Sequence, residues 1–506
     1  MRSLFHLFLF LLGLQAAIAQ NITAKIIDSK SGESLPYANI KLNETTNLIS
    51  NAEGYFTLSE SNSGDASVLT VSYLGYVKRQ ITIGELKNQD HIIKLEPGVF
   101  ELETMTISNV KPDPNAIMAA VKKNLPIHYK NDGQTSKDMI FYRDASTFKP
   151  IKFDIEFTKS TGFTKKGLEA VNAEVNAFTS NLITHPPKEF KDMLCNYYTN
   201  TKTKDNKPTY FTKLDVVKAT LLKDEDRSVD LDDMQQVAEN IFLKHLDSTK
   251  YYRVKSGLFG SRDTISLRKS FNEKKNKNKT KTSKLISSKS DLTIFIHENN
   301  FLQSSKLDFV NKPELYTYTY EGKTYNDKDE YMYVLSFKPR KSKAKYTGKV
   351  YVSETDYAVV RCDYDLAEGE TVSSFNMKLL LGIKASENKS KGTLIYKKNT
   401  DKTGYHLQYA SVETGQYIYL NRPLKFIELT DSEKDVVAFD LKVEGNSLDK
   451  KEFLTISKSE INEVAFDNVK EEDFNYITLK RYDPTIWKNF VSIEPLEEMK
   501  QFRVAE

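Results

Sequence analysis

From residue 21 onward the chain falls into short runs in which apolar and polar residues alternate. A period of two suits half-buried strands, so it confines the chain to architectures built from sheets with one packed face. Up to Pro97 the alternating sets are Ile22, Ala24 and Ile26, then Ala38, Ile40 and Leu42, then Leu69, Val71 and Tyr73, then Ile81 with Ile83 and Ile93 with Leu95. Turn-forming segments such as DSKSGESLP, NETTN and SESNSGDAS separate them. No helical period intervenes, which predicts a small antiparallel β-sandwich over residues 20–97.

The stretch LISNAEGYFTLSE, residues 48–60, shows how one corner of that sandwich is specified. Asn51 suits the start of a turn, and Gly54 suits its last position because glycine tolerates positive φ. Phe56 and Leu58 then point to one face, and Tyr55 and Thr57 to the other. A calcium site is the functional competitor. It needs about six to eight oxygen ligands, and only Glu53, Asp28 and Asp65 offer carboxylates nearby.

Three segments together, NITAKIIDSKSGESLPYANIKL, LISNAEGYFTLSE and LTVSYLGYVKRQITI, closely resemble the carboxypeptidase-like regulatory domain. That resemblance implies a transthyretin-like fold and a place in the envelope of Gram-negative bacteria, where the domain often follows a signal peptide. It does not imply peptidase activity. Two positions depart from the usual pattern: Ala24 stands where glycine is common, and Ser50-Asn51 where Thr-Asp is common.

Residues 1–19 have the composition of a secretory signal, with Arg2 before an apolar run from Leu4 to Leu14 and Ala17-Ile18-Ala19 ahead of Gln20. The run is shorter than the roughly 20 residues that span a bilayer, so the expectation is an exported protein, periplasmic or outer-membrane-associated. Beyond it the most apolar stretch is Leu379 to Ile383, flanked by Lys378 and Lys384. A β-barrel is the membrane alternative, given 28 Tyr and 28 Phe. Against it, lysines punctuate candidate strands such as TLIYKKNT, and a lipid-facing lysine at mid-bilayer costs about 2 to 4 kcal/mol.

Residues 98–113 read as a linker. Asp113 can cap a helix that begins at Pro114 and carries Ile117, Ala120, Val121 and Leu125 on one face to about Asn124. A second helical pattern covers Leu231 to His245, and the acidic DLDDM at its start suits a helix N-terminus. Elsewhere strands are predicted, among them FYRDAS, IKFDIEFTKS, DLTIFIHEN, YMYVLSFKPR, FNMKLLLGIK and DVVAFDLKVEG. The clearest hairpin is 346–364, with Val350 and Val352 before a turn at Glu354-Thr355-Asp356 and Tyr357, Val359 and Arg361 resuming the alternation. The expected division is a mixed helix and strand region over 114–300 and an antiparallel β-rich domain over 301–506. The overall class is mainly β with helical insertions. The hairpin and the closing YDPTIWKNFVSIEP resemble the C-terminal regions of poorly characterised envelope proteins. The hairpin also resembles, more faintly, periplasmic lipoprotein carriers, which implies a curved sheet that shelters acyl chains.

Chemistry is sparsely signposted. His91, His128, His185, His245, His297 and His406 are scattered with no HExxH, and GxSxG, GxGxxG and GxxxxGKS are absent. Cys195 and Cys362 could bridge or remain buried thiols, and two are too few for a thiolate metal site. No catalytic, cofactor-binding or metal-ligating residue is therefore assigned. Paired carboxylates of a glycosidase type are set in three dimensions and stay open. A net charge of +4 gives no general attraction for nucleic acid. The Lys-rich loop 273–284, with Lys274, Lys275, Lys277, Lys279 and Lys281, reads as a solvated surface loop. It could touch anionic lipid at about 1 kcal/mol per lysine. The favoured function is a non-enzymatic envelope protein in which the sandwich serves docking or stability and the β domain binds an apolar ligand such as lipid, or an envelope partner. The alternatives are a hydrolase of envelope or extracellular polymer, and a receptor-like outer-membrane barrel. An apolar concave sheet would favour the first, and carboxylates converging in a polar cleft the second.

Overall fold

The computed structural model describes residues 21–58, 64–98, 111–130, 135–204, 207–224, 241, 244–246, 250–256, 259–265, 283–326, 330–399, 404–429 and 436–503. The expected signal, most of the linker, the helical pattern at 231–245 apart from its last residues, and the five lysines of the loop lie outside them.

The first unit is the expected sandwich. Strands β1 (Ile22–Asp28), β4 (Tyr55–Leu58) and β7 (Ile92–Leu95) form one sheet, and β2 (Asn39–Leu42), β3 (Thr46–Ile49), β5 (Val68–Ser72) and β6 (Arg79–Thr82) form the other. Ile22, Ala24, Ile26, Ile40, Phe56, Leu69, Val71 and Ile93 fill the core between them. Pairing is antiparallel except that β7 runs parallel to β1. Thr82 caps the short helix α1 (Ile83–Lys87) with a capping box completed by Glu85, which satisfies two otherwise unpaired backbone donors.

The rest of the chain is organised by a 14-stranded sheet. Its continuous path runs β13 (Tyr316–Tyr325), β14 (Tyr331–Pro339), β15 (Tyr346–Ser353), β16 (Val359–Leu366), β18 (Ile383–Lys398), β19 (Tyr405–Glu428), β20 (Val436–Glu460), β8 (Ser136–Ser160), β9 (Lys188–Lys204), β10 (Lys207–Lys223) and β21 (Ile477–Leu479). Short strands β11 (Tyr252–Ser256), β12 (Phe259–Ile265) and β17 (Ser373–Met377) attach at its margins. Two expectations are corrected here. The division at residue 300 separates no sheet, because β8 pairs with β20 along nearly its whole length, from Ser160 opposite Val437 to Ser136 opposite Glu460. The barrel alternative also fails, because the described sheet ends at β13 on one side and β21 on the other and does not close.

Helices cover one face of this sheet. The helix α2 (Pro114–His128) starts as its sequence predicts: Asp113 accepts from the Asn115 amide, Pro114 occupies the first turn, and Ile117, Val121 and Leu125 are buried together with Met118. The helix α3 (Lys165–Thr184) is capped by Thr164 and buries Val171, Val175 and Leu182 against Phe153, Phe439 and Val443. The helix α4 (Lys284–Glu298) contains the segment DLTIFIHEN that was expected as a strand. Its Leu285, Leu292 and Phe295 join α2, Phe301, Phe309 and Val310 against Tyr142, Tyr318, Phe337, Val350, Cys362 and Tyr396 of the sheet. The core-facing residues of that segment are three apart, and this spacing outweighs the β propensity of Thr293, Ile294 and Ile296.

The hairpin of β15 and β16 turns at Glu354 to Asp356 as expected. Its alternation shifts where Tyr351 pairs with Arg361 but Val352 pairs with Val359. This bulge places Val359 in the helix-covered core and leaves Arg361 to the other face. Cys195 and Cys362 are both buried free thiols.

Candidate ligand-binding site

The face of the sheet opposite the helices is where sandwich, sheet and C-terminal segment meet. Phe141, Leu194, Ile395, Tyr409, Leu454 and Ile456 form an apolar patch there. Ile49 of the sandwich and Trp487 and Ile493 of the C-terminal segment cover it. Tyr37 packs its ring on Tyr409 with centroids 5.2 Å apart. Asn47 donates to the Ile456 carbonyl at 3.0 Å and accepts from Lys397 at 3.0 Å.

The turn at Asn51 is the centre of this junction. Asn51 is fully buried. Its side-chain carbonyl accepts from the Glu53 and Tyr55 amides at 2.9 Å each, which holds the turn. Its amide group donates to the Glu494 and Pro495 carbonyls at 3.3 Å each, which ties the turn to the C-terminal segment. Gly54 stands at φ +82, and a Cβ there would lie 2.9 Å from the Ile26 carbonyl, so both conformation and space require glycine. The carboxylates weighed as calcium ligands serve separate partners: Asp28 accepts from the Lys30 and Ser31 amides and Tyr76, Asp65 pairs with Lys87, and Glu53 receives the Glu497 amide.

Beside the apolar patch lies a cavity of about 1090 Å³. Its roof is Tyr37 and Ala52 from the sandwich and Leu496, Glu498 and Met499 at the short C-terminal helix α5 (Glu497–Lys500). Its floor is the sheet, and strand register explains what the floor is made of. Asp192, Arg143, Glu452, Ser411, Thr393, Asp363, Lys349, Ser336 and Thr319 stand opposite one another, one per strand, from β9 across to β13. Two residues along, on the same face, Lys450, Glu413, Lys391 and Asp365 form a second rank in which charge alternates from strand to strand.

The first rank is anchored by a buried ion-pair cluster. Arg143 donates from Nε to Asp192 Oδ1 at 2.7 Å and from Nη2 to Oδ2 at 2.8 Å. Its Nη1 lies 3.8 Å from Glu452 Oε2 and has no hydrogen-bond partner among the described residues. All three residues are at most 4% exposed. Burial opposes the charge on Arg143, but Asp192 and Glu452 together push its pKa up. Glu452 also accepts from Tyr409 at 3.1 Å, and Lys450 lies 3.6 Å away. Asp363 is held by Arg361 and by Thr393, whose hydroxyl donates at 2.7 Å. Burial opposes ionisation of Glu413, but Lys389 and Lys391 hold its carboxyl below the usual carboxylate range.

The cavity floor therefore presents hydroxyls together with charges of both signs, most of them paired with one another. Tyr37, Phe190, Leu448, Leu496 and Met499 add an apolar part to the cavity lining, so it is neither a wholly apolar pocket nor a pair of free carboxylates. Glu452 and Asp363 lie three strands apart, about 14 Å at the ordinary strand spacing. That exceeds the roughly 5 to 9.5 Å separation of glycosidase acid and base. Glu452 and Glu413, diagonal neighbours on adjacent strands, fall within it, but each is engaged by cations, Arg143 and Lys450 at Glu452 and Lys389 and Lys391 at Glu413. The scattered histidines have local partners: His245 lies 2.9 Å from Glu174, His128 2.8 Å from the Asp356 carbonyl, and His406 2.8 Å from Asn399. Among the described residues no group of three or more His, Cys, Asp or Glu is placed to hold a metal ion.

No curated protein matches the chain. Two solved structures overlap it: a DUF1329 family protein from Desulfovibrio piger, at 10% identity over 71% of this chain and 98% of that one, with a TM-score of 0.16; and the MucA/MucB complex of Pseudomonas aeruginosa, at 7% identity over 69% and 99%, with a TM-score of 0.15. Residues 22–107 match the CarboxypepD_reg-like domain family, so the sandwich whose Asn51 turn grips the C-terminal segment is a domain of that type.

Proposed function

We propose that this is a non-enzymatic, exported binding protein of the cell envelope, whose cavity between sandwich, sheet and C-terminal segment takes a polar, hydrogen-bonding ligand of low net charge. The observation that carries this reading is the floor itself: Ser411 with Thr393 and Ser336 with Thr319 are interspersed with charges of both signs, and a CarboxypepD_reg-like domain supplies part of the roof. Such a floor offers many donors and acceptors at little electrostatic bias, and Tyr37, Phe190, Leu496 and Met499 add apolar surface beside it, a combination that suits saccharide rings or zwitterionic peptide groups. The sandwich then has a second role beyond stability, since Tyr37 and Ala52 wall the cavity. Among the described residues no helix is long and apolar enough to cross a membrane.

The hydrolase alternative has less support. A general acid needs a proton at working pH, whereas Glu413 is held ionised by two lysines.

The test is thermal unfolding of the purified protein against soluble peptidoglycan fragments, neutral oligosaccharides and oleate. A ligand at a hundredfold its Kd stabilises by about 2.7 kcal/mol. Stabilisation by a polar compound that is abolished in Ser411→Trp, which fills the floor, supports the proposal. Stabilisation by oleate alone, unaffected by that substitution, contradicts it.

A further inference from the structure

The apolar stretch from Leu379 to Ile383 takes no part in the cavity, and its structure is unusual. The strand β17 runs to Met377, a single helical turn spans Lys378–Leu381, and β18 begins at Ile383. Leu379 is 101% exposed, Leu380 is 72% exposed and Phe375 is half exposed. Two adjacent leucines with essentially no protein contact forgo the stabilisation that burial would give them.

The turn is nonetheless fixed. Gly382 donates its amide to the Lys378 carbonyl at 3.1 Å, and its own carbonyl accepts from the Asn421 amide at 2.7 Å. Gly382 has φ +66, and a Cβ there would sit 1.9 Å from the Asn421 carbonyl oxygen, so only glycine permits this close approach to β19. The leucines are thus held outward by a clamped backbone.

Their surroundings indicate what covers them. Lys378 lies over the Tyr419 ring at 4.1 Å and Lys384 over the Tyr417 ring at 5.4 Å. Neither lysine has a carboxylate partner among the described ion pairs. Exposed aliphatic side chains ringed by tyrosine and unpaired lysine match the layering of a bilayer surface, with an acyl boundary, an aromatic belt and anionic headgroups. A protein partner would complement the leucines equally well, but the two unpaired cations favour an anionic surface.

We propose that the turn at residues 375–384 is a membrane-contacting tip, with Leu379 and Leu380 entering the acyl boundary of a bilayer and Lys378 and Lys384 meeting anionic headgroups. It is independent of the cavity. The experiment is sedimentation of the purified protein with vesicles of phosphatidylcholine, with and without phosphatidylglycerol. Leu379→Ser/Leu380→Ser should weaken vesicle binding about 100-fold with an unchanged melting temperature, since neither side chain is packed. Lys378→Gln/Lys384→Gln should weaken binding to phosphatidylglycerol vesicles about fivefold per lysine and leave binding to pure phosphatidylcholine unchanged. Equal binding by the wild type and the leucine variant overturns the proposal. So does a wild type that ignores vesicles but loses self-association, by sedimentation velocity, when the leucines are replaced.

Discussion

Replacing Asn51 by alanine removes the side chain that holds the sandwich turn and grips the C-terminal segment at once. Two backbone amides, Glu53 and Tyr55, lose their acceptor, and two carbonyls, Glu494 and Pro495, lose their donor. The site is fully buried, so water does not replace these partners without local opening. At about 0.5 to 1.5 kcal/mol net for each hydrogen bond, with a larger penalty for groups left unsatisfied, the loss should be about 2 to 4 kcal/mol. Asn51→Asp separates the two roles. It keeps the acceptor for the turn but sets a carboxylate oxygen against two carbonyl oxygens, so it should cost at least as much as alanine. Urea unfolding gives the total, and hydrogen exchange over residues 490–500 reports the grip on the C-terminal segment. A loss under about 1 kcal/mol for alanine, or wild-type stability and exchange for aspartate, would refute the reasoning that this turn joins the two units.

Two further outcomes follow from the floor and its neighbouring hairpin. Arg143→Met leaves Asp192 and Glu452 buried without their main cation and should cost about 3 to 5 kcal/mol, whereas Arg143→Met/Asp192→Leu should recover part of that loss in urea unfolding. Equal losses in the single and double variants would show that the bidentate pair is not the source of the effect. Asp356 sits in the turn of the β15–β16 hairpin, where burial opposes its charge but Lys398, Ser353, the Ala358 amide and Tyr405 hold its carboxyl below the usual range. A folded pKa below the unfolded value of about 3.9 stabilises above that pH and is lost as pH falls through it. Asp356→Asn should therefore lower stability at neutral pH and match the wild type near pH 2, as followed by thermal unfolding across that range; a deficit that persists in acid would assign the cost to packing.

The sandwich was legible because its information is local. Alternation, Asn51, Gly54 and the spacing of Phe56 and Leu58 each specify backbone and face within a few residues. The start of α2 was legible for the same reason, since Asp113 and Pro114 act on the adjacent turn. The helix α4 was misread because its β-branched run suggests a strand, while the decisive fact, burial of Leu285, Leu292 and Phe295 on one side, depends on the sheet beneath. The helix α3 carried a readable signal in Thr164 followed by Val171, Val175 and Leu182, and was missed among strand patterns on either side. The candidate site could not be read at all. Arg143, Glu452, Ser411, Thr393 and Asp363 each look like the solvent face of an ordinary strand, and only the register of successive strand pairs aligns them into a floor. Likewise nothing local to Asn51 announces that its amide reaches Glu494, more than four hundred residues away.

The shared cavity is tested most directly by hydrogen exchange of the full protein with and without a polar compound that stabilises it. Slowed exchange should appear together in residues 391–393, 411–413 and 450–452 of the floor and in the roof around Tyr37 and Ala52. Protection confined to α2 and α4 on the opposite face, with floor and roof unchanged, would contradict a polar ligand site built jointly by the sandwich and the sheet.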